Sequence, residues 1–195
     1  LDITAPLTIS GPTPAENPEK KPSFAIENGF YDRTFEVHAN VSFTLSNVSH
    51  AYPARSLPPS KAMERGGFLL GQAGSTVTLL QTELRGPDIK GIDSGGIIFM
   101  GGGSTLNIQG SSISSGWAMK GGAIAADGAT LNITESSFQE DSAYFLGGAV
   151  YAVNSVVNMA NIAARMLLYN DSYGAFYYGV NSTAHIANLS SQNYP

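Results

Sequence analysis

The chain has 195 residues, only 13% of them charged, with a formal net charge of −5, 22 glycines and no cysteine. That length suits one domain around a single hydrophobic core and leaves no room for two independent enzyme-sized units. The acidic balance excludes nucleic acid as a partner, since displacing counterions needs clustered Lys and Arg, and the missing cysteines remove disulfides, thiolate catalysis and thiolate metal sites together.

Residues 1–10 read as an amphipathic strand with Leu1, Ile3, Ala5, Leu7 and Ile9 on one face. Pro6 has no N–H to give a ladder, which restricts the segment to an edge. Residues 11–22 carry Pro12, Pro14, Pro18 and Pro22 and are expected to be extended and semi-rigid. Residues 1–22 therefore form an expected arm, in which Leu1, Ile3, Leu7 and Ile9 are the candidate assembly strand, inserting into a neighbouring copy. Folding back onto the chain's own body is the competing expectation. A start at Leu1 rather than Met is compatible with prior removal of a signal segment.

Strand patterning returns from Phe24 to His50, with Asn28-Gly29 as a turn signal and Val41, Phe43 and Leu45 alternating. Residues 23–65 are expected to be an irregular first coil, over 35–48, and a loop marked by Pro53, Pro58 and Pro59.

From Gly66 to the end, residues 66–195, the sequence repeats. Units start at Gly66, Gly95, Gly121, Gly147 and Tyr173, at intervals of 29, 26, 26 and 26 residues. One insertion, within residues 85–94, accounts for the irregular interval. Leu69, Ile98, Ile124, Val150 and Phe176 share one register. Leu79, Ile108, Ile133, Met159 and Ile186 share a second, and Val77, Leu106, Leu131, Val157 and Ala184 a third. Alternation such as Leu106-Asn107-Ile108 has period two, the mark of strands with one buried face. Such a unit buries that face by stacking on copies of itself. The fold class expected is therefore all-β, a parallel β-helix of about five to six coils, with an antiparallel sandwich as the alternative.

The motifs Gly121-Gly-Ala-Ile124, Gly147-Gly-Ala-Val150 and the looser Gly95-Gly-Ile-Ile98 resemble the GGA-[I/L/V] repeats of polymorphic outer-membrane proteins and pectin-lyase-like right-handed β-helix proteins. The resemblance spans roughly residues 66–189 and implies a right-handed coil. Its companion motif Phe-x-x-Asn is poorly kept, since Phe138-Gln-Glu ends in Asp141. The resemblance also implies that an enzyme must be weighed, because some right-handed β-helices cleave polysaccharides with clustered carboxylates. Here Glu140 and Asp171 are the nearest approach to an acid–base pair, and solvated turn residues are the favoured reading. His38, His50 and His185 have no metal-ligand spacing. No catalytic residue, metal or cofactor is expected.

Asn-x-Ser/Thr, the N-glycan acceptor motif, occurs at Asn40, Asn47, Asn132, Asn170, Asn181 and Asn188. Chance placement would give about two. Glycans would hydrate a surface poor in charge. Late aromatic residues divide between core, for Phe176, and contact, for Tyr177 and Tyr178. The resulting expectation is a non-enzymatic extracellular or cell-surface structural glycoprotein. Its partners are copies of itself in a head-to-tail filament and covalent N-glycans, with no nucleic acid and no membrane span. A carbohydrate-binding adhesin module is second, and a polysaccharide lyase or hydrolase a distant third.

Overall fold

The computed structural model describes residues 1–12, 24–26, 33–50, 64–86, 92–167 and 176–194. Among them are strands and turns and no helix. The first coil holds β1 (Asp2–Ile3), β2 (Leu7–Ser10) and β3 (Phe24–Ile26), and the second β4 (Phe35–Val37), β5 (Ser42–Ser46) and β6 (Val48–His50). The third holds β7 (Leu69–Gly71), β8 (Thr76–Leu80) and β9 (Glu83–Arg85). Two four-stranded coils follow. They are β10 (Ile98–Met100), β11 (Thr105–Gln109), β12 (Ser112–Ser114) and β13 (Trp117–Lys120), then β14 (Ile124–Asp127), β15 (Thr130–Thr134), β16 (Ser137–Gln139) and β17 (Ser142–Leu146). Last come β18 (Val150–Val153) with β19 (Val156–Leu167), and β20 (Tyr177–Val180) with β21 (Thr183–Tyr194).

Strands pair in parallel with their counterparts one coil away. One sheet has seven strands in the order β1-β4-β7-β10-β14-β18-β20. The second stacks β2, β5, β8, β11, β15, β19 and β21 on one side, and β3, β6, β9, β12 and β16 lead back to β19 on the other. The fold is an all-β parallel β-helix. Two of the three expected columns hold residue for residue and run on into the first two coils. Leu7, Phe43, Val77, Leu106, Leu131, Val157 and Ala184 form one, and Ile9, Leu45, Leu79, Ile108, Ile133, Met159 and Ile186 the other. Between the terminal coils these side chains are buried. At about 1.5–3 kcal/mol per buried aliphatic or aromatic side chain, the columns are the main source of stability.

The paired glycines make the corner that starts each regular coil. Gly66, Gly95, Gly121 and Gly147 have φ between 59° and 67°, which favours glycine. The second glycine answers to space instead. A Cβ on Gly96 or Gly122 would strike the carbonyl oxygen of Gly122 or Gly148 in the next coil.

Three expectations are corrected. Residues 1–10 are not one strand on a separate arm. The chain breaks at Pro6, between β1 and β2, and both strands pair in cis, with β4 and β5. Residues 1–26 thus contribute the first coil, and residues 35–50 a regular second one, so the first sheet has seven rungs. Pro14, Pro18 and Pro22 of the proline-rich stretch, the Asn28-Gly29 turn signal and the loop prolines Pro53, Pro58 and Pro59 lie outside the described residues. The third correction concerns the fifth unit. Val150 pairs with Tyr177, not Phe176, because the last interval is 27 residues, the separation of Asn154 from Asn181 and of Asn161 from Asn188. Phe176 joins another buried column, formed at the glycine corner by Phe68, Ile97, Ala123 and Ala149.

Candidate functional site

The broadest surface built by the repeat is the outer face of β2, β5, β8, β11, β15, residues 156–160 of β19 and residues 183–187 of β21. Alternation points every second side chain outward in three columns. The first is Ser42, Thr76, Thr105, Thr130, Val156 and Thr183; the second Thr8, Thr44, Thr78, Asn107, Asn132, Asn158 and His185; the third Ser10, Ser46, Leu80, Gln109, Thr134, Ala160 and Ala187. Among the described residues no acidic side chain, Lys or Arg stands on this wall. The neighbouring face differs. There Glu83, Arg85 and Arg165 project from β9 and β19.

Amides knit the middle column. Asn132 donates to Asn107 Oδ1 at 3.0 Å, and Asn158 donates to Asn132 Oδ1 at 2.9 Å. His185 lies in the same column, exposed beside Asn158. A shallow depression lined by Asn132, Thr134, Asn158, Ala160, His185 and Ala187, among others, marks the end of the wall near the last coil.

Five of the six sequon asparagines are described, and the repeat itself uses each of them. Asn132 belongs to the amide column. Asn40 and Asn181 occupy one left-handed corner, with φ of 61° and 49°, and Asn47 and Asn188 another, with φ of 53° in both. Asn is among the few residues that tolerate this conformation. Asn181 donates to Asn154 Oδ1 at 2.7 Å, and Asn188 to Asn161 Oδ1 at 2.9 Å. Asn40, Asn181 and Asn188 are exposed. Asn170 lies outside the described residues, as does Asp171, so the Glu140–Asp171 pair is not assembled on described geometry; Glu140 is an exposed residue of a left-handed turn.

Interior polar groups hold coil to coil. The Ser111 hydroxyl accepts from Thr82 N, Ser136 from Ser111 N, Ser155 from Ala129 N and Ser182 from Ser155 N, at 3.1–3.2 Å. Asp141, at the place of the Asn in the Phe-x-x-Asn pattern, is fully buried. Its Oδ1 accepts from Gly116 N at 2.8 Å, while Oδ2 has no hydrogen-bond partner. Burial raises its carboxyl well above the usual range, more than the hydrogen bonds from Gly116 and Gln139 lower it. His50 lies inside the core against Phe68, ring centroids 4.4 Å apart, and burial lowers its pKa to about 4. Both are titratable sites that sequence reasoning missed. Their signals were alignment, with Leu84 for His50 and the corner Gly116 for Asp141, and for Asp141 also its place in the Phe-x-x-Asn pattern.

The two contact aromatics part company. Tyr177 packs against the core, whereas Tyr178 points outward and stacks on Tyr151, centroids 6.3 Å apart with planes 13° apart. Leu1 and Leu7 are exposed on the first rung, and Val180, Ile186 and Leu189 on the last; Ile3 is buried and Ile9 partly so. Among the described residues no His, Asp and Glu cluster suits a metal, and no helix is long and apolar enough to cross a membrane.

No family model, curated protein or solved structure matches the chain.

Proposed function

We propose that the protein is a non-enzymatic structural glycoprotein of an extracellular or cell-surface layer that joins copies of itself head to tail. The observation that carries this reading is the match between the terminal rungs. Leu7 and Ile9 on the first and Ala184 and Ile186 on the last occupy the same two apolar columns, and Leu7 and Ile186 are 37% and 38% exposed. Stacking the first coil of one copy on the last coil of another would continue both columns and satisfy unpaired edge groups, which are a template for strand pairing. Such a contact is heterologous and propagates as a filament. Because β1 and β2 are already paired in cis, the joint is coil on coil, and no strand is exchanged. Interior serines, asparagines and Asp141 supporting neighbouring coils agree with a structural role, and the six sequons support the extracellular setting.

Negative-stain microscopy and light scattering of the purified chain test the assembly. Filaments or concentration-dependent oligomers are expected, and Ile9→Lys or Ile186→Lys should each give monomers with unchanged circular dichroism. A wild-type chain that stays monomeric up to about 100 μM, weaker than any typical specific interface, would overturn the reading. Mass spectrometry of native material checks the sequons, with glycans expected first at Asn40, Asn181 and Asn188.

The second reading, an adhesin-like module, is favoured by the uncharged wall.

A further inference from the structure

We infer that this wall is a binding face for an uncharged, extended polysaccharide lying along the β-helix axis. The inference rests on the side of the coil and not on its ends, so it stands or falls separately from head-to-tail assembly.

Charge is the first argument. Among the described residues no charged side chain stands on any of the three columns, two of which cross seven coils and one six. A phosphate, sulfate or uronate polymer would find no countercharge there, and a protein partner recognised through charge would find none either. Hydroxyls and amides, able both to donate and to accept, fill all the outward positions except Leu80, Val156, Ala160, Ala187 and His185. A polymer of neutral sugars offers the matching chemistry, hydroxyl edges and C–H faces. Threonine meets both, since one branch is a hydroxyl and the other a methyl.

Shape is the second. In-register parallel strands repeat each column about every 4.8 Å, and outward neighbours along a strand lie about 6.6 Å apart. Among the described residues the result is an open grid, suited to an extended ligand more than to a small enclosed solute. A long ligand gathers many weak contacts on such a grid. Order is the third. The hydrogen bonds from Asn132 to Asn107 and from Asn158 to Asn132 fix the amides before any ligand arrives, and β-branched Thr76, Thr105 and Thr130 are restricted at χ1. Little side-chain entropy remains to be lost on binding. The depression lined by Asn132, Asn158 and His185 gives the wall a deeper point near the last coil.

The test is co-sedimentation of the purified chain with insoluble neutral glycans (microcrystalline cellulose, a β-1,3-glucan, mannan and chitin), alongside a polygalacturonate gel. Retention on at least one neutral glycan is expected, unchanged between about 50 and 500 mM NaCl because no ion pair is involved. The outward variants Thr105→Lys and Thr130→Lys should each weaken it about tenfold or more. Gln139→Lys, exposed on the other side of the second sheet, should bind like wild type. Matching melting curves for the variants separate lost contact from lost fold. No retention on any neutral glycan, preference for polygalacturonate, loss of binding with salt, or wall variants that bind like wild type would each overturn the inference.

Discussion

Burial of His50 beside Phe68 and in register with Leu84 holds its imidazole neutral down to a pKa of about 4, against about 6.5 when unfolded. Its contribution is therefore complete above pH 6.5 and is lost as pH falls through 4, at up to about 1.4 kcal/mol per pH unit. Asp141 works in the opposite sense. Its carboxyl is raised by burial, so the stability it supports is present below the unfolded carboxylate range and is lost as pH rises through the folded value. Thermal melts across pH 3–8 check both. His50→Leu should flatten the acid limb. Asp141→Asn should raise the melting temperature at pH 7 and leave it unchanged near pH 3, where the wild-type acid is already protonated. A variant whose curve runs parallel to wild type over the whole range would count against its assignment. Neither role was legible in the sequence, because a buried histidine and a surface one look alike without their column. The burial of Asp141 was hidden because corner geometry, not strand alternation, decides where its side chain goes.

Strands and columns were far more legible, for a physical reason. Alternation with period two fixes which face is buried, and a spacing near 26 residues fixes which residues stack, so the Leu79 and Val77 columns follow from the residue pattern alone. Legibility failed where an insertion fell inside a coil. Residues 11–23 separate β2 from β3, and the first coil consequently looked like a tethered arm. It failed again by one residue at Tyr177, where the interval to Val150 is 27 residues instead of 26 and the alternation of β20 alone does not set the register. The sequons were seen but half understood, since left-handed corners and amide columns call for asparagine whether or not a glycan is attached. The middle of the stack offers the sharpest test of the columns. Ile124 is fully buried between Ile98 and Val150, and Ile124→Asp would place an unpaired carboxylate there. A cost of several kcal/mol, roughly 3–5, is expected, with β10, β14 and β18 lost in one transition. Urea melts followed by Trp117 fluorescence and by circular dichroism should shift together to lower denaturant; a loss below about 1 kcal/mol would contradict the packing.

At the scale of the whole molecule, a coil touches only the coils above and below it, so stability is close to a sum of coil and interface contributions, and an end coil has half the neighbours of an inner one. Leu7 and Ile186 are more than a third exposed, while their column partners Leu106 and Ile133 are buried. Local opening should therefore be easiest at the ends and hardest in the middle, and amide hydrogen exchange reads that gradient directly. Protection is expected to be greatest in β11 and β15, which have paired strands on both sides, and least in β2 and β21. Assembly adds a second variable. If copies stack end to end, the first and last described coils acquire a second neighbour, and binding restricted to the folded state stabilises by mass action. Exchange from β2 and β21 should then slow as protein concentration rises, while β11 and β15, already flanked, should not change. Ile9→Lys should abolish the concentration dependence in both terminal strands at once, because a head-to-tail joint needs each of them. Terminal amides that exchange at one rate at every concentration would leave the coil ends without a partner of their own kind.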